Sequence, residues 1–186
     1  MERFERIESI TVPFPRANVD TDQILPARFL QKPRGGGFGQ YLFHDLRFHP
    51  DGSERQDFVL NQPQYQGARI LIAGANFGCG SSRENAVWAL YDSGFRVIVA
   101  LSFGDIFFNN CLKNGLLPIA LPWDSPATHL TVDLESQTVA APGEPATAFD
   151  VDPFAKHCLL NGLDELDYTL SRMGEIRAFE ANYKQL

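Results

Sequence analysis

A glycine-rich stretch, Gly74–Asn85, lies between a short apolar run and a segment with helical periodicity. The run before it, Ile70–Ala73, predicts a buried strand, and the segment after it, Ala86–Tyr91, predicts a helix. Glycines allow a sharp backbone turn and the close approach of a ligand, and the start of a helix favours negative charge. Arg83 adds a planar set of donors that fits a carboxylate or a phosphate. The stretch therefore predicts a site for a small anion.

The alternation of strands and helices continues beyond this stretch. Further strands are predicted at Phe95–Leu101 and Leu116–Leu121, and helices at Ser82–Ser93 and Gly104–Asn114, each closed by a glycine that suits a C-terminal cap. Short connections of this kind imply parallel strands with the helices as crossovers. Ligands in such folds bind beyond the carboxyl ends of the strands, where the glycine-rich stretch lies.

Both ends of the chain add elements to this core. A strand is predicted within residues 5–14, and residues 129–134 and 137–141 predict a hairpin. Helices are predicted at Pro153–Leu160 and Leu163–Tyr183, so that C-terminal helices occupy about residues 153–183. The apolar positions of the second helix are expected to pack in the core or against a neighbour. All 186 residues fit a single domain.

The N-terminal third contains two loops that stand out by composition. Asn18–Gln23 predicts a polar loop with two acids, and Ile24–Leu30 predicts a short helix with Pro26 in its first turn. Four of the five positions in Gly35–Gly39 are glycine, and Arg34 precedes them. This composition indicates a mobile segment, which is either a linker or a functional loop.

Composition excludes several classes of function. The formal net charge of -7 argues against non-specific nucleic-acid binding. The charged N-terminus lacks the apolar core of a signal peptide, and no apolar run approaches the roughly 20 residues of a membrane span. The three cysteines are widely separated, which fits reduced thiols in a cytoplasm better than a disulfide framework.

Familiar catalytic and metal-binding patterns fit the stretch poorly. Gly78 and Gly80 open a dinucleotide-like pattern, but Arg83 stands where a third glycine is needed. Ser81 is not in a G-x-S-x-G elbow. Cys79 has no second cysteine nearby and the four histidines lack ligand-like spacing, so the chain alone is not expected to hold a metal or an iron-sulfur cluster.

Ser81 and Glu84 have a second interpretation. Serine followed three positions later by glutamate, just before a helix, is a capping box with no catalytic role. The adjacent glycines, Ser82 and Arg83 exceed what a cap requires, and the two interpretations can coexist. A serine at a helix start would face N–H groups that stabilise its oxyanion, which a serine base needs because a free hydroxyl is too weakly acidic.

Three motifs resemble the swivelling domain of the aconitase superfamily. They are Gly74–Glu84, Asn18–Pro26 and Phe103–Pro118, and they occur in the family's order. The chain length and Phe38–Phe48 resemble the free-standing small subunits of 3-isopropylmalate dehydratases, and the resemblance is weakest over residues 122–150. It implies an α/β fold, a swivelling β/β/α domain that has a parallel strand-helix-strand-helix-strand core and C-terminal helices.

The resemblance also implies a reaction. Members are hydro-lyases that interconvert 2- and 3-isopropylmalate, a small dicarboxylate pair, by removing and re-adding water in leucine biosynthesis. A [4Fe-4S] cluster on a separate large subunit acts as Lewis acid on the substrate hydroxyl, and this chain would bind no metal itself. The chain would cover the cluster, complete the site, and be active only in the heterodimer.

Residue roles follow from the family pattern. Ser81 would be the base that takes a proton from carbon, and Arg83 would hold a substrate carboxylate with Ser82 assisting. Asp22 matches an acidic position that supports the catalytic site through hydrogen bonding. Gly80 would let the backbone approach the substrate closely.

The family pattern extends to the glycine-rich loop. Residues 29–40 would form a mobile specificity loop, in which Arg34 matches a further carboxylate-binding arginine and Leu30 would meet the isopropyl group. Two alternatives remain open. One is the small subunit of a related hydro-lyase, of the homoaconitase, citraconate or dimethylmalate type. The other is a non-catalytic anion-binding module in which the serine cluster is only a cap.

Overall fold

The computed structural model describes residues 1–123 and 128–183. Within them a seven-stranded sheet has the strand order β4-β3-β2-β1-β5-β6-β7. The strands are β1 (Ile7–Phe14), β2 (Ile70–Ala73), β3 (Val97–Ala100), β4 (Leu117–Ala120), β5 (His129–Asp133), β6 (Thr138–Ala140) and β7 (Thr147–Ala148). The α-helices are α1 (Thr21–Ile24), α2 (His44–Arg47), α3 (Asn85–Asp92), α4 (Asp105–Lys113), α5 (Pro153–Asn161), α6 (Glu165–Ser171) and α7 (Met173–Tyr183).

The first four strands form the parallel half of the sheet. β1 pairs with β2, β2 with β3 and β3 with β4, all in parallel, and α3 and α4 connect the last three. Their apolar runs are buried because helices and loops cover both faces. Ile98 and Ala100 pack into one core cluster, and Val97 and Val99 pack into the other. The predicted strand-helix-strand-helix-strand core is confirmed.

The other half of the sheet is antiparallel. β5 pairs with the free edge of β1, and β6 and β7 extend the sheet from there. The predicted hairpin of residues 129–134 and 137–141 is therefore confirmed as β5 and β6. Because β1 joins both halves, it fixes the segment that follows it, residues 15–20, beside the carboxyl ends of the parallel strands.

Two short N-terminal elements differ from expectation. Thr21–Gln23, predicted as loop, belongs with Ile24 to a single helical turn, because Asp20 and Gln23 form a reciprocal capping box. The helix predicted over Ile24–Leu30 is a 3₁₀ turn at Ala27–Phe29, and Pro26 is its N-cap rather than a first-turn residue. Further 3₁₀ turns occur at Arg34–Gly36, Gly39–Tyr41, Val59–Asn61 and Pro63–Tyr65.

The C-terminal helices are present, but the second predicted helix is divided. α5 begins at an Asp152 cap and ends at Gly162, whose φ is 68°. The segment Leu163–Tyr183, predicted as one helix, forms α6 and α7 with a break at Arg172, whose φ and ψ are -99° and 10°. The Ser171 hydroxyl donates to the Tyr168 carbonyl at 2.6 Å, and this local bond competes with continuation of the helix. Among the described residues, no helix is long and apolar enough to cross a membrane.

Candidate functional site

The glycine-rich stretch runs beside the segment that follows β1. Gly78 N donates to the Val19 carbonyl at 2.8 Å, and Thr21 N donates to the Cys79 carbonyl at 2.9 Å. These bonds continue the parallel hydrogen-bond pattern between β1 and β2 beyond the last residues of both strands. Two of the three sequence motifs are therefore joined by their backbones.

Close packing at Gly78 brings the third motif to the same place. Gly78 has a φ of 72°, and a Cβ added there would lie 2.1 Å from Cγ of Phe107 in α4. Gly104, the N-cap of α4, is equally restricted, because its Cβ would lie 2.8 Å from the Gly78 carbonyl oxygen. Glycine is thus needed at both positions for the turn after β2 to meet the start of α4.

Arg83 links the proposed base to the proposed supporting acid. Its Nε donates to Ser81 Oγ at 3.0 Å, and its Nη2 donates to Asp22 Oδ1 at 2.6 Å. The Arg83 side chain is 22% exposed and that of Asp22 is 58% exposed. The structure therefore brings Ser81, Arg83 and Asp22 into one hydrogen-bonded cluster, although Asp22 lies 61 positions from Arg83.

Thr21 fixes the backbone of Ser81 and was not singled out from the sequence. Ser81 N donates to Thr21 Oγ1 at 3.2 Å, and Thr21 Oγ1 lies 3.4 Å from the Ser81 carbonyl oxygen, to which it donates. The Thr21 side chain is buried. The sequence signal that could have identified Thr21 is its position between Asp20 and Asp22 in the N-terminal motif. A threonine that is buried there needs a hydrogen-bond partner.

The capping-box interpretation of Ser81 and Glu84 is wrong. The helix predicted from Ser82 begins at Asn85, and its N-cap is Glu84, which makes no side-chain capping bond. Ser81 Oγ accepts from Arg83, and Glu84 Oε1 accepts from Asn114 Nδ2 at 2.6 Å. Tertiary bonds hold residues 81–83 out of the helix, so the donor at Ser81 Oγ is a guanidinium rather than a helical N–H group.

Ser82 and Gly80 lie on the exposed side of this cluster. The Ser82 carbonyl accepts from Asn110 Nδ2 at 3.4 Å. Gly80 has a φ of 93°, and an added Cβ would meet Asp20 Cβ at 3.5 Å, so its backbone conformation rather than crowding requires glycine. An open cavity of 190 Å³ lies here, lined by residues 78–81 and 104–107. It is smaller than the roughly 300 Å³ or more of a complete small-molecule site.

The glycine-rich loop is attached to α3 rather than to the cluster. The Arg34 guanidinium lies over the Trp88 ring, 4.3 Å from its centroid, and the buried Phe38 donates its N–H to Asp92 Oδ2 at 2.8 Å. Leu30 is half-buried and packs against the core. Within the described ranges, no hydrogen bond or ion pair joins Arg34 or Leu30 to residues 81–83. The mobility of residues 29–40 stays a prediction.

Among residues 1–123 and 128–183, no three histidine, cysteine or acidic side chains lie close enough together to hold a metal ion. Cys79 is partly exposed beside Ser81, whereas Cys111 and Cys158 are buried. Burial raises the pKa of the Cys111 thiol well above its ordinary value. The cluster of Ser81, Arg83 and Asp22 is suited to anions and proton transfer.

Comparison with known proteins identifies the family. A model described as the aconitase C-terminal domain matches residues 1–124. The 3-isopropylmalate dehydratase small subunit of Dinoroseobacter shibae is 50% identical over 97% of this chain and 96% of its own, and that of Paramagnetospirillum magneticum is 50% identical over 99% and 97%. The chain belongs to the family of 3-isopropylmalate dehydratase small subunits.

Two further matches agree with this result, one in sequence and one in fold. A model described as LeuD_N covers residues 123–153, nearly all of the region in which the resemblance of the sequence to the family is weakest. A crystal structure titled 3-isopropylmalate dehydratase, from Methanocaldococcus jannaschii, has a TM-score of 0.71 and 23% identity over 94% of this chain and 99% of that chain. The swivelling-domain fold and the family expected from the motifs are both confirmed, and neither the related hydro-lyases nor the non-catalytic module is favoured.

Proposed function

We propose that this chain is the small subunit of a hydro-lyase that interconverts 2- and 3-isopropylmalate by dehydration and rehydration in leucine biosynthesis. The observation that carries this function is the full-length identity of about 50% with proteins of that name. The cluster of Ser81, Arg83 and Asp22 gives the function a chemical basis. The exposed, undersized cavity beside Ser81 supports a site completed by a second subunit.

That second subunit is the large subunit, and we place the [4Fe-4S] cluster on it. The described residues of this chain offer Cys79 as a single thiol beside the site, whereas such clusters are held by several cysteines. When bound, the cluster supplies a Lewis acid for the substrate hydroxyl. The buried, unpaired thiols of Cys111 and Cys158 support a reducing cytoplasm as the location.

Ser81 acts as the base in this proposal. In the dehydration direction its oxyanion takes a proton from the carbon next to a substrate carboxylate. Arg83 Nε already donates to Ser81 Oγ at 3.0 Å, and a hydrogen bond from a cation favours the ionised form of the oxygen. The bonds between Thr21 and the Ser81 backbone keep the serine in place as the charge on its oxygen changes.

Arg83 also holds the substrate. A guanidinium has five N–H donors, and its bonds to Ser81 and Asp22 occupy Nε and one hydrogen of Nη2. The remaining donors are available to a substrate carboxylate. Negative charge builds up on that carboxylate as the neighbouring proton leaves, so Arg83 contributes more in the transition state than in the ground state. Ser82 and the backbone at Gly80 complete the carboxylate site from the exposed side.

Substrate choice is assigned to residues 29–40. Arg34 lies on Trp88, the fourth residue of the helix that follows the cluster, and binds a second carboxylate in this proposal. Leu30 lies near the start of this loop and offers an apolar side chain for the isopropyl group. The role of Arg34 requires it to leave its contact with Trp88 when substrate binds.

Reconstitution tests the function. The chain is mixed anaerobically with its cognate large subunit, and the interconversion of 2- and 3-isopropylmalate is followed by NMR. We expect turnover in the mixture, and neither turnover nor iron-sulfur absorbance in this chain alone. A higher kcat/KM with homocitrate-, citraconate- or dimethylmalate-type substrates would reassign the enzyme, and an assembled complex without any turnover would overturn the proposal.

A further inference from the structure

The two C-terminal helices carry an apolar surface that the described chain leaves uncovered. α6 and α7 together span 18 residues, and neither contains a buried residue. Leu166 and Leu170 in α6 are 65% and 54% exposed, and Phe179 and Tyr183 in α7 are 67% and 68% exposed. Each pair is spaced by four positions, which places its members on one face of a helix. Large apolar side chains grouped in this way mark interaction surfaces.

Helices of this length require packing to be stable. An isolated helix shorter than about 12–15 residues is marginal in water, and α6 and α7 have 7 and 11 residues. Few side-chain contacts anchor them: Tyr168 packs edge-on against Phe154 at 4.8 Å, and Lys113 pairs with Glu165 at 2.9 Å. These contacts fix where α6 begins, and they leave the apolar faces available to another molecule.

One exposed face of α4 connects this surface to the site. Ile106, in the first turn of α4, is 54% exposed and lines the cavity that contains Ser81. Asn109 and Lys113 follow at helical spacing on the same face and line a second groove, which Phe154 shares. The exposed face of α4 thus leads from the edge of the cavity beside Ser81 to the start of α6.

Charge distinguishes between two occupants of this surface. Residues 163–183 contain five acidic side chains and two arginines, and the whole chain has a formal net charge of -7. A second copy would bring two acidic surfaces together, which is unfavourable. A partner that matches this surface has an apolar face with a basic rim. Because α4 connects the surface to the site, we identify this partner as the subunit that completes the site.

We infer that the apolar faces of α6 and α7 (Leu166, Leu170, Phe179 and Tyr183), together with Ile106 on α4, dock the large subunit. These five side chains are called the docking face below. The inference rests on the proposed function for the identity of the partner. It adds that the C-terminal helices, which are remote in sequence from every site motif, contribute to assembly rather than to chemistry.

The test compares two double variants of the full chain. Leu170→Ser with Phe179→Ser removes two apolar side chains of the docking face, and Ala178→Ser with Asn182→Ser places two serines on a neighbouring exposed face of α7. Each is titrated into a fixed amount of cognate large subunit while turnover and sedimentation are measured. We expect the half-saturating concentration to rise at least tenfold for the first variant, with kcat at saturation retained. The second should stay within twofold of wild type.

Hydrogen exchange on the wild-type chain provides a measurement that no variant can confound. Amides of residues 165–183 should exchange several-fold more slowly after the large subunit is added. Unchanged exchange there, or equal half-saturating concentrations for both double variants, overturns the inference. Circular dichroism checks that the variants are folded, and if the first is not, the exchange result decides.

The outcomes separate this inference from the proposed function. If the wild-type mixture lacks turnover while sedimentation still shows a complex that the first variant weakens, the docking face stands and the enzymatic proposal fails. If the wild-type mixture shows turnover and the first variant has the same half-saturating concentration as wild type, the enzymatic proposal stands and the docking face fails. If the chain alone is a dimer that only the first variant dissociates, and its affinity for the large subunit is unchanged, a second copy covers the face and the inference is wrong.

Discussion

Arg83 donates to the Asp22 carboxylate at 2.6 Å and so joins the turn after β2 to the first helical turn of the chain. Both residues belong to motifs that resemble the family's, and the bond orients the guanidinium that also contacts Ser81. Asp22→Asn should lower kcat by roughly tenfold to a hundredfold, because a small displacement of a catalytic group has effects of that size. Steady-state kinetics of the assembled enzyme measure it.

The matched control for Asp22 is Asp45, which forms an exposed ion pair with Arg28 in another part of the chain. Exposed ion pairs contribute only about 0–1 kcal/mol. Asp45→Asn should therefore resemble Asp22→Asn in thermal stability while retaining activity. An Asp22→Asn enzyme with wild-type kcat would remove Asp22 from the catalytic machinery.

Ser81→Ala should abolish most of the activity. Loss of a general base typically costs about 10²–10⁴ in rate, and substrate binding should change little because Arg83 is retained. Ser82→Ala is the control, since Ser82 lies one residue away, is exposed and should cost less than tenfold. The two variants are compared by kcat and KM at saturating large subunit. Equal, small losses would mean that the base is another group.

Arg83→Lys should lose activity although charge is conserved. The ammonium is a point charge and cannot reach Ser81 Oγ, Asp22 Oδ1 and a substrate carboxylate together, as the planar guanidinium does. We expect kcat to fall by about 10²-fold or more, comparable to the loss of one transition-state donor, and KM to rise. Near-normal kcat/KM in Arg83→Lys would contradict the double role of this residue.

Gly78→Ala should destabilise the fold at the point where the three motifs meet. The new Cβ would lie 2.1 Å from Phe107 Cγ, and the backbone φ of 72° disfavours alanine. Overpacking and backbone strain together are expected to cost about 2 kcal/mol or more in the free energy of unfolding. Gly36→Ala is the control, because nothing lies within 4 Å of its added Cβ. Urea denaturation distinguishes them, and equal midpoints would show that the turn relaxes.

Apolar runs and glycine positions were sufficient to predict the parallel core. Val97–Ala100 is buried at every position, and each crossover helix is followed by a glycine with positive φ, so local pattern and final structure agree. The chain also shows where such patterns stop. The start of α3 was misplaced because Thr21 and Asn110 hold residues 81–83 through bonds that local propensity does not reveal.

Long-range side-chain contacts account for the remaining differences at the site. The contact of Arg34 with Trp88 joins a glycine-rich loop to a helix 54 positions later, and no periodicity encodes it. The resemblance assigned Asp22 a supporting role without naming its partner. The partner is Arg83, because β1 and β2 are adjacent and parallel and bring the segments after them together. The motifs thus indicated that Asp22 and Arg83 are important, and the parallel pairing of β1 with β2 determines that they contact each other.

Cys111 predicts how stability depends on alkaline pH. Its side chain is fully buried in α4, and burial raises the pKa of the folded thiol well above the ordinary value of 9.0. Because the pKa of this thiol is higher in the folded chain, its contribution to the free energy of unfolding is fully present below pH 9. That contribution is lost as pH rises towards the folded pKa, since only the unfolded chain ionises there. Cys111→Ala should reduce the loss of unfolding free energy above pH 9 by up to about 1.4 kcal/mol per pH unit.

Denaturation series between pH 7 and 10.5 measure this difference in slope. Cys158 supplies the comparison, because the pKa of its thiol is also raised but its side chain is less enclosed, so Cys158→Ala should change the slope less. Cys111→Ala leaves a small cavity and is expected to be less stable at pH 7; the inference therefore rests on the change with pH and not on the absolute value. Parallel curves for wild type and Cys111→Ala would show that the thiol ionises in the folded chain.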